Sequence, residues 1–185
     1  MPSKYQKGFT LVEMLVVMSI ISTLSSIVLG AVNTARQKAS NKQALGIVNE
    51  YRNAIELYRM NDPSGGLPNT GDATYSYCLG GSGGCYSRNL TQGYSLLNPG
   101  NPSLQAALSP DYFPTLPTIK PAPYVPVPGG DTWSIDGPQY TCNTLTGGIC
   151  KKATMTWMYG NQDTNCLGGS ATPFGTATFC SYTFE

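Results

Sequence analysis

Two groups of residues in this sequence have side chains and spacings that could do chemistry. The first is six cysteines, Cys78, Cys85, Cys142, Cys150, Cys166 and Cys180, all after residue 77. An even number of thiols within one Gly-rich and Pro-rich region points to disulfides formed in an oxidising compartment. Zinc is the competing chemistry, but there is no CxxC pair and the chain has no histidine. Short loops close at the least entropic cost, so near-neighbour pairing is expected: Cys78–Cys85, Cys142–Cys150 and Cys166–Cys180. The second is a single residue, Glu13, the one charge in the apolar run from Phe9 to Val32. A carboxylate there costs about 2.5–3.5 kcal/mol on membrane-insertion scales. It becomes useful if a positive group meets it within the membrane or in a packed bundle. Cleavage between Gly8 and Phe9 would make that group, a new N-terminal amine at Phe9.

Composition removes other chemistries. Without histidine there is no Ser-His-Asp, Cys-His or HExxH arrangement. Carboxylate, lysine or tyrosine catalysis has no motif behind it, so a membrane-tethered enzyme is the weakest functional reading. Net charge is +1, with Lys4 and Lys7 in the first eight residues and seven acidic against four basic side chains after residue 60. No segment is basic enough to bind nucleic acid by bulk electrostatics. Asp131 and Asp136 flank Trp133, but two carboxylates at that spacing do not make a calcium loop, which needs six to eight oxygens. They read as turn residues, and no metal or cofactor is expected. Asn89-Leu90-Thr91 matches the N-glycosylation triplet, a pattern that arises often by chance.

The elements that must position these residues are legible in outline. Phe9 to Val32 is proline-free and 24 residues long, about 36 Å as a helix, enough to cross a bilayer core. Beyond it, Ala35, Ala39, Ile47, Tyr51, Ile55 and Tyr58 recur mostly at spacings of three or four, the signature of one helical face. Asn61-Asp62-Pro63-Ser64-Gly65-Gly66 stops the helix. One helix from Phe9 to Met60 is therefore expected, its first half suited to lipid and its second to a soluble domain. Residues 61–185 hold eighteen glycines, thirteen prolines, fifteen aromatics and all six cysteines, which predicts a folded, loop-rich domain. Ala153–Tyr159 and Thr176–Phe184 alternate as strands do; Thr74–Leu79 and Thr132–Ile135 are weaker strand candidates, and Ser103–Leu108 a short helix. The fold class is α+β, a long N-terminal helix packed on a small antiparallel sheet.

Three readings of the N-terminus compete. One is a secretory signal cut near Val28-Leu29-Gly30, and one a plain anchor. The third is a short leader removed ahead of an apolar helix that stays in the mature protein. Glu13 favours the third, because the first two gain nothing from a buried carboxylate.

The stretch Lys7-Gly8-Phe9-Thr10-Leu11-Val12-Glu13-Met14-Leu15-Val16-Val17 resembles the class III leader of type IV prepilins and type II secretion pseudopilins. The resemblance implies cleavage by a prepilin peptidase between Gly8 and Phe9, N-methylation of Phe9, and pairing of Glu13 with the N-terminal amine of a neighbouring subunit. It implies residues 1–8 as leader, 9–32 as transmembrane and filament-core helix, 33–60 as its amphipathic continuation, and 61–185 as a disulfide-bonded globular domain. Ser109 to Pro117 looks like the Tyr…Leu-Pro segment of major pseudopilins, but their Asp-Pro-Trp-Gly stretch and calcium loop do not follow. Gly30 stands where many pilins carry a helix-breaking proline, and glycine permits local melting without forcing a kink. The function implied is that of a structural subunit of a type IV pilus-like filament. The alternatives are a type II secretion pseudopilin and a minor tip or adhesin subunit. The partners implied are copies of itself and related pilins, the prepilin peptidase, an inner-membrane assembly platform with its ATPase, and the membrane. The implied location is the inner membrane by a single pass, with the globular domain outside the cytoplasm, then a surface or periplasmic filament.

Overall fold

The computed structural model describes residues 9–80, 85–89, 93–118, 125–126, 132–135, 137–160, 165–174 and 177–185. Gly8 and the rest of the leader, Asp131, Asp136, and Leu90 and Thr91 of the glycosylation triplet lie outside the described residues.

The first element, α1, runs Leu11–Asn61. It contains no proline, and it ends where the sequence predicts. Asp62 N–H still reaches the Tyr58 carbonyl at 2.8 Å. Pro63 then has no N–H to offer. The Asp62 carboxylate turns back to accept from Ser64 N–H at 3.1 Å, Ser64 Oγ at 2.7 Å and Gly66 N–H at 3.2 Å. Those bonds hold its carboxyl below the usual carboxylate range, with the Ser64 hydroxyl the largest cause.

The chain divides into two compact units, 1–38 and 39–185. In the first, the helix from Leu11 onward has its apolar side chains exposed, and its apolar window has a mean hydropathy of 2.3. By length and composition it can cross a membrane.

In the second unit, α1 buries Asn41, Val48, Tyr51, Ala54 and Ile55, with Ala44, Leu45 and Ile47 partly buried beside them. This corrects the face read from the sequence: Ala35 and Ala39 are exposed. A helix turns about 100° per residue, so Ala39 falls about 120° and Ala35 about 160° around the axis from Tyr51. The buried stripe enters at Asn41 and Val48 instead.

After α1 come β1 (Ser76–Cys78), β2 (Cys85–Asn89), β3 (Gly93–Asn98), α2 (Pro102–Leu108), β4 (Val125–Pro126), β5 (Thr132–Ile135), β6 (Gln139–Thr146), β7 (Ile149–Gly160), β8 (Ser170–Phe174) and β9 (Ala177–Phe184). They form a five-stranded sheet in the order β1-β6-β7-β9-β8 and a four-stranded sheet in the order β3-β2-β5-β4. Every pairing is antiparallel. The α+β class stands, with a second sheet that the sequence reading lacked. The β6–β7 hairpin turns on Gly147 and Gly148, at φ +59° and +79°, between the paired Thr146 and Ile149. Positive φ at both central residues is what a type I′ hairpin demands and glycine supplies. β8 contains Pro173 and sits at the sheet edge, where a missing N–H breaks no ladder.

The core joins α1 to the larger sheet. Val48, Tyr51 and Ile55 pack with Leu67, Leu104, Leu108, Tyr140, Met155, Trp157 and Phe184. The two buried tyrosines are satisfied: Tyr51 Oη donates to the Pro117 carbonyl at 2.7 Å, and Tyr140 Oη to the Pro68 carbonyl at 2.9 Å. Helix α2 starts at Asn101, whose side chain accepts from Leu104 N–H at 3.0 Å, with Pro102 in the first turn.

Candidate functional site

The start of α1 is where the sequence places the one charge of its apolar run, Glu13. Glu13 Oε2 accepts from Thr10 N–H and from Thr10 Oγ, each at 2.8 Å. Glu13 N–H donates back to Thr10 Oγ at 3.3 Å. This is a capping box: the residue before the helix and the residue three on satisfy each other's otherwise orphaned backbone donors. Thr10 is a site residue that the sequence reading missed, although Thr-x-x-Glu ahead of an apolar run is itself the signal for it. Glu13 thus has a partner within its own chain, and its carboxylate is held at the very entrance of the helix. Phe9, just outside, is 76% exposed.

Past the cap the helix satisfies most of its own hydroxyls, Ser25 being the exception among the described residues. Ser19 donates to the Val16 carbonyl, Ser22 to Met18, Thr23 to Ile20, Ser26 to Thr23 and Thr34 to Gly30, at 2.8–3.2 Å. Hydroxyls tied to the preceding turn remove the main penalty of carrying Ser and Thr in lipid. At Gly30 a Cβ would meet nothing within 4 Å, so no packing within the chain requires glycine there.

The cysteines are paired as near neighbours: Cys78–Cys85, Cys142–Cys150 and Cys166–Cys180, with Cα atoms 5.2, 5.9 and 5.4 Å apart. Cys78–Cys85 links β1 of one sheet to β2 of the other. Cys142–Cys150 crosses the β6–β7 hairpin, and Cys166–Cys180 ties the segment before β8 to the middle of β9. Each bridge is worth about 2–4 kcal/mol.

The Ser109–Pro117 segment serves the core. The Phe113 ring lies 5.0 Å from that of Tyr51, and Tyr112 meets Tyr58 edge-on at 6.2 Å. Burial pushes the Tyr51 and Tyr140 hydroxyls well above the usual phenol range. On the other side of α1, Arg52 stacks 4.2 Å over the Tyr182 ring and donates to the Leu167 carbonyl at 2.9 Å. Among the described residues no three His, Cys, Asp or Glu side chains gather where a metal could sit.

Residues 3–29 match the family model described as the Prokaryotic N-terminal methylation motif. The chain is 42% identical over 64 residues to the ComG operon protein 3 homolog of Bacillus licheniformis, a match covering 35% of this chain and 65% of that protein. It is 36% identical over 93 residues to the Prepilin peptidase-dependent protein D of Escherichia coli, covering 50% of this chain and 57% of the relative. The chain therefore spans less than two thirds of the length of either. No solved structure matches it.

Proposed function

We propose that this chain, type IV pilin-like or pseudopilin-like by its N-terminal segment, is a structural filament subunit rather than an enzyme. A prepilin peptidase cuts between Gly8 and Phe9 and the new amine at Phe9 is methylated. The mature chain waits in the inner membrane by its helix, with the disulfide-bonded domain outside the cytoplasm. An assembly platform and its ATPase then pack the helices into a helical homopolymer.

The observation that carries this reading is the apolar helix itself. It presents exposed apolar side chains around its circumference, yet holds a carboxylate, Glu13, within its first turn. Lipid alone explains the apolar surface. A neighbour's amine explains the carboxylate, because a buried charge needs a partner. The capping box does not remove that need: Thr10 supplies neutral donors and no opposite charge.

Two measurements test the proposal. Mass spectrometry of the membrane-extracted chain should give an N-terminus at methylated Phe9. An N-terminus near Gly30 or Ala31 means ordinary secretion. Electron microscopy of cells with and without the chain should show surface fibres that depend on it. Unchanged surfaces together with a correct Phe9 terminus favour the pseudopilin reading, in which the same helix packing builds a short periplasmic filament.

A further inference from the structure

Among the described residues after Val32, most charged side chains are matched within the chain, and the unmatched ones fall into two sets. Arg52 is engaged by Leu167 and Tyr182, Arg59 by Glu56 and the Glu185 carbonyl, Lys151 by the Ser64 carbonyl and Lys152 by Glu185. Among the described residues, the exposed cations Arg36, Lys38 and Lys42 meet no such partner. On the acidic side, Asp62 and Asp72 accept from their own turns. Glu50 and Asp111, both exposed, receive no hydrogen bond and form no ion pair among the described residues.

Those two carboxylates rim one groove. Its walls are Glu50, Ala54 and Leu57 of α1 and Asp111 and Phe113 of the segment after α2. Asn53 and Tyr112 add polar atoms to the lining, and Leu57 is its most exposed apolar side chain at 46%. Lys42 stands about 80° around the α1 axis from Glu50 and about 12 Å before it along that axis. A side chain so displaced cannot fill the groove of its own chain. It can fill that of another.

We propose that this groove receives the Arg36–Lys42 stretch of a second copy of the chain, the lysine and arginine stems covering Leu57 while their heads meet Glu50 and Asp111. Long basic side chains suit such a surface because their stems are apolar and their ends charged. The contact joins two different patches, so it is heterologous. Repeated from copy to copy it builds an open helical array instead of a closed dimer. The proposal rests on the filament reading and deepens it, assigning a subunit contact outside the apolar helix packing. Charge pairs of this kind chiefly set register and partner choice.

The test uses the full-length chain in cells that express it. A photo-crosslinking amino acid in place of Asn53, on the groove rim, should yield, in the sheared filament fraction, a covalent dimer whose second peptide contains Lys42. The double variant Glu50→Lys/Asp111→Lys should lower filament-borne chain about tenfold or more at equal membrane abundance. Adding Lys38→Glu and Lys42→Glu to it should restore the yield. If wild-type cells yield neither sheared filaments nor a crosslinked dimer in the cell envelope, the filament reading itself falls. If wild-type filaments form and the crosslink goes to another protein or elsewhere on the chain, the groove proposal is overturned. Unchanged yield in the double variant, or loss without rescue, overturns it as well.

Discussion

The two units of the chain solve the same problem, an excess of apolar surface, in opposite ways. Residues 39–185 enclose theirs: Tyr51, Tyr140, Met155 and Phe184 are buried, and three disulfides brace the loops around them. The helix before Lys38 encloses nothing; Leu11, Leu15, Leu24 and Ile27 are all more than half exposed. A contiguous apolar surface of that extent marks an interaction site with lipid or protein. One region carries its environment with it, and the other is defined by whatever surrounds it. Perturbations should therefore separate cleanly, and each of the following is a way to break or sharpen that contrast.

Reduction of the disulfides should have the largest effect. With about 2–4 kcal/mol per bridge at stake, a domain of this size is expected to unfold or to lose most of its stability in reductant. The apolar helix should remain helical in detergent. Circular dichroism with and without reductant, set against protease resistance, reads both halves at once.

Single side chains come next. Phe184→Ala should cost about 3–5 kcal/mol of domain stability in a denaturant melt, since the ring is 1% exposed. Leu24→Ala, with the side chain 57% exposed, should leave that melt unchanged. Equal effects from both would show that the helix is braced by the domain after all.

Glu13 and Thr10 allow charge to be separated from capping. Gln can complete a capping box as Glu does. Glu13→Gln thus keeps the local bonds and removes the charge, while Thr10→Ala removes the cap and keeps the charge. On the proposed pairing, Glu13→Gln should leave membrane abundance intact and suppress filament assembly, as the loss of a buried partner costing about 3–5 kcal/mol requires. Thr10→Ala should cost about 1 kcal/mol of local helix stability and far less assembly. The reverse ranking by shearing and immunoblot would make Glu13 a cap and nothing more.

A further effect, below those of the disulfides and of Phe184, is alkaline. Burial raises the Tyr51 and Tyr140 phenols above their unfolded value of about 10. Their contribution is therefore complete below about pH 10 and is lost as pH rises past it, at about 1.4 kcal/mol per phenol for each pH unit. A thermal melt of the domain should fall between pH 10 and 11, and the Tyr140→Phe variant should fall less steeply.

The sequence was most readable where one periodicity ran long. Helix α1 has no proline before residue 63 and a multiple stop signal after Met60, so both ends were visible within two residues. Alternation in Ala153–Tyr159 marked the second half of β7 and Thr176–Phe184 marked β9, while Ile149–Lys152, the first part of β7, was not read as strand. The buried face of α1 was misjudged because alanine marks a helical face weakly, and Ala35 and Ala39 satisfied the spacing rule locally while drifting around the axis. Strands β2, β3, β4, β6 and β8 were missed, although the Thr-rich and Tyr-rich β6 running into Gly147-Gly148 carried a hairpin signal that was overlooked. Arg88 and Asn89 occupy β2, Pro173 occupies β8, and β6 has register shifts around Thr144. Their register comes from the neighbours they pair with. At the candidate site, a lone carboxylate in an apolar run announced Glu13, and the Thr10 cap was written beside it but overlooked. The groove of Glu50 and Asp111 was invisible because only tertiary packing brings α1 and the segment after α2 together.

The hydroxyls of the apolar helix have a mechanical consequence. Ser19, Ser22, Thr23, Ser26 and Thr34 have turned their protons inward to their own carbonyls. A rod laid against this surface would meet contour at those positions, with no directional bonds to break there when it slips by part of a turn. Ser25, exposed and without a hydrogen bond among the described residues, is the hydroxyl still able to catch on a neighbour. Such a surface would grip by shape, one ridge of side chains against the next groove, and by a single polar latch.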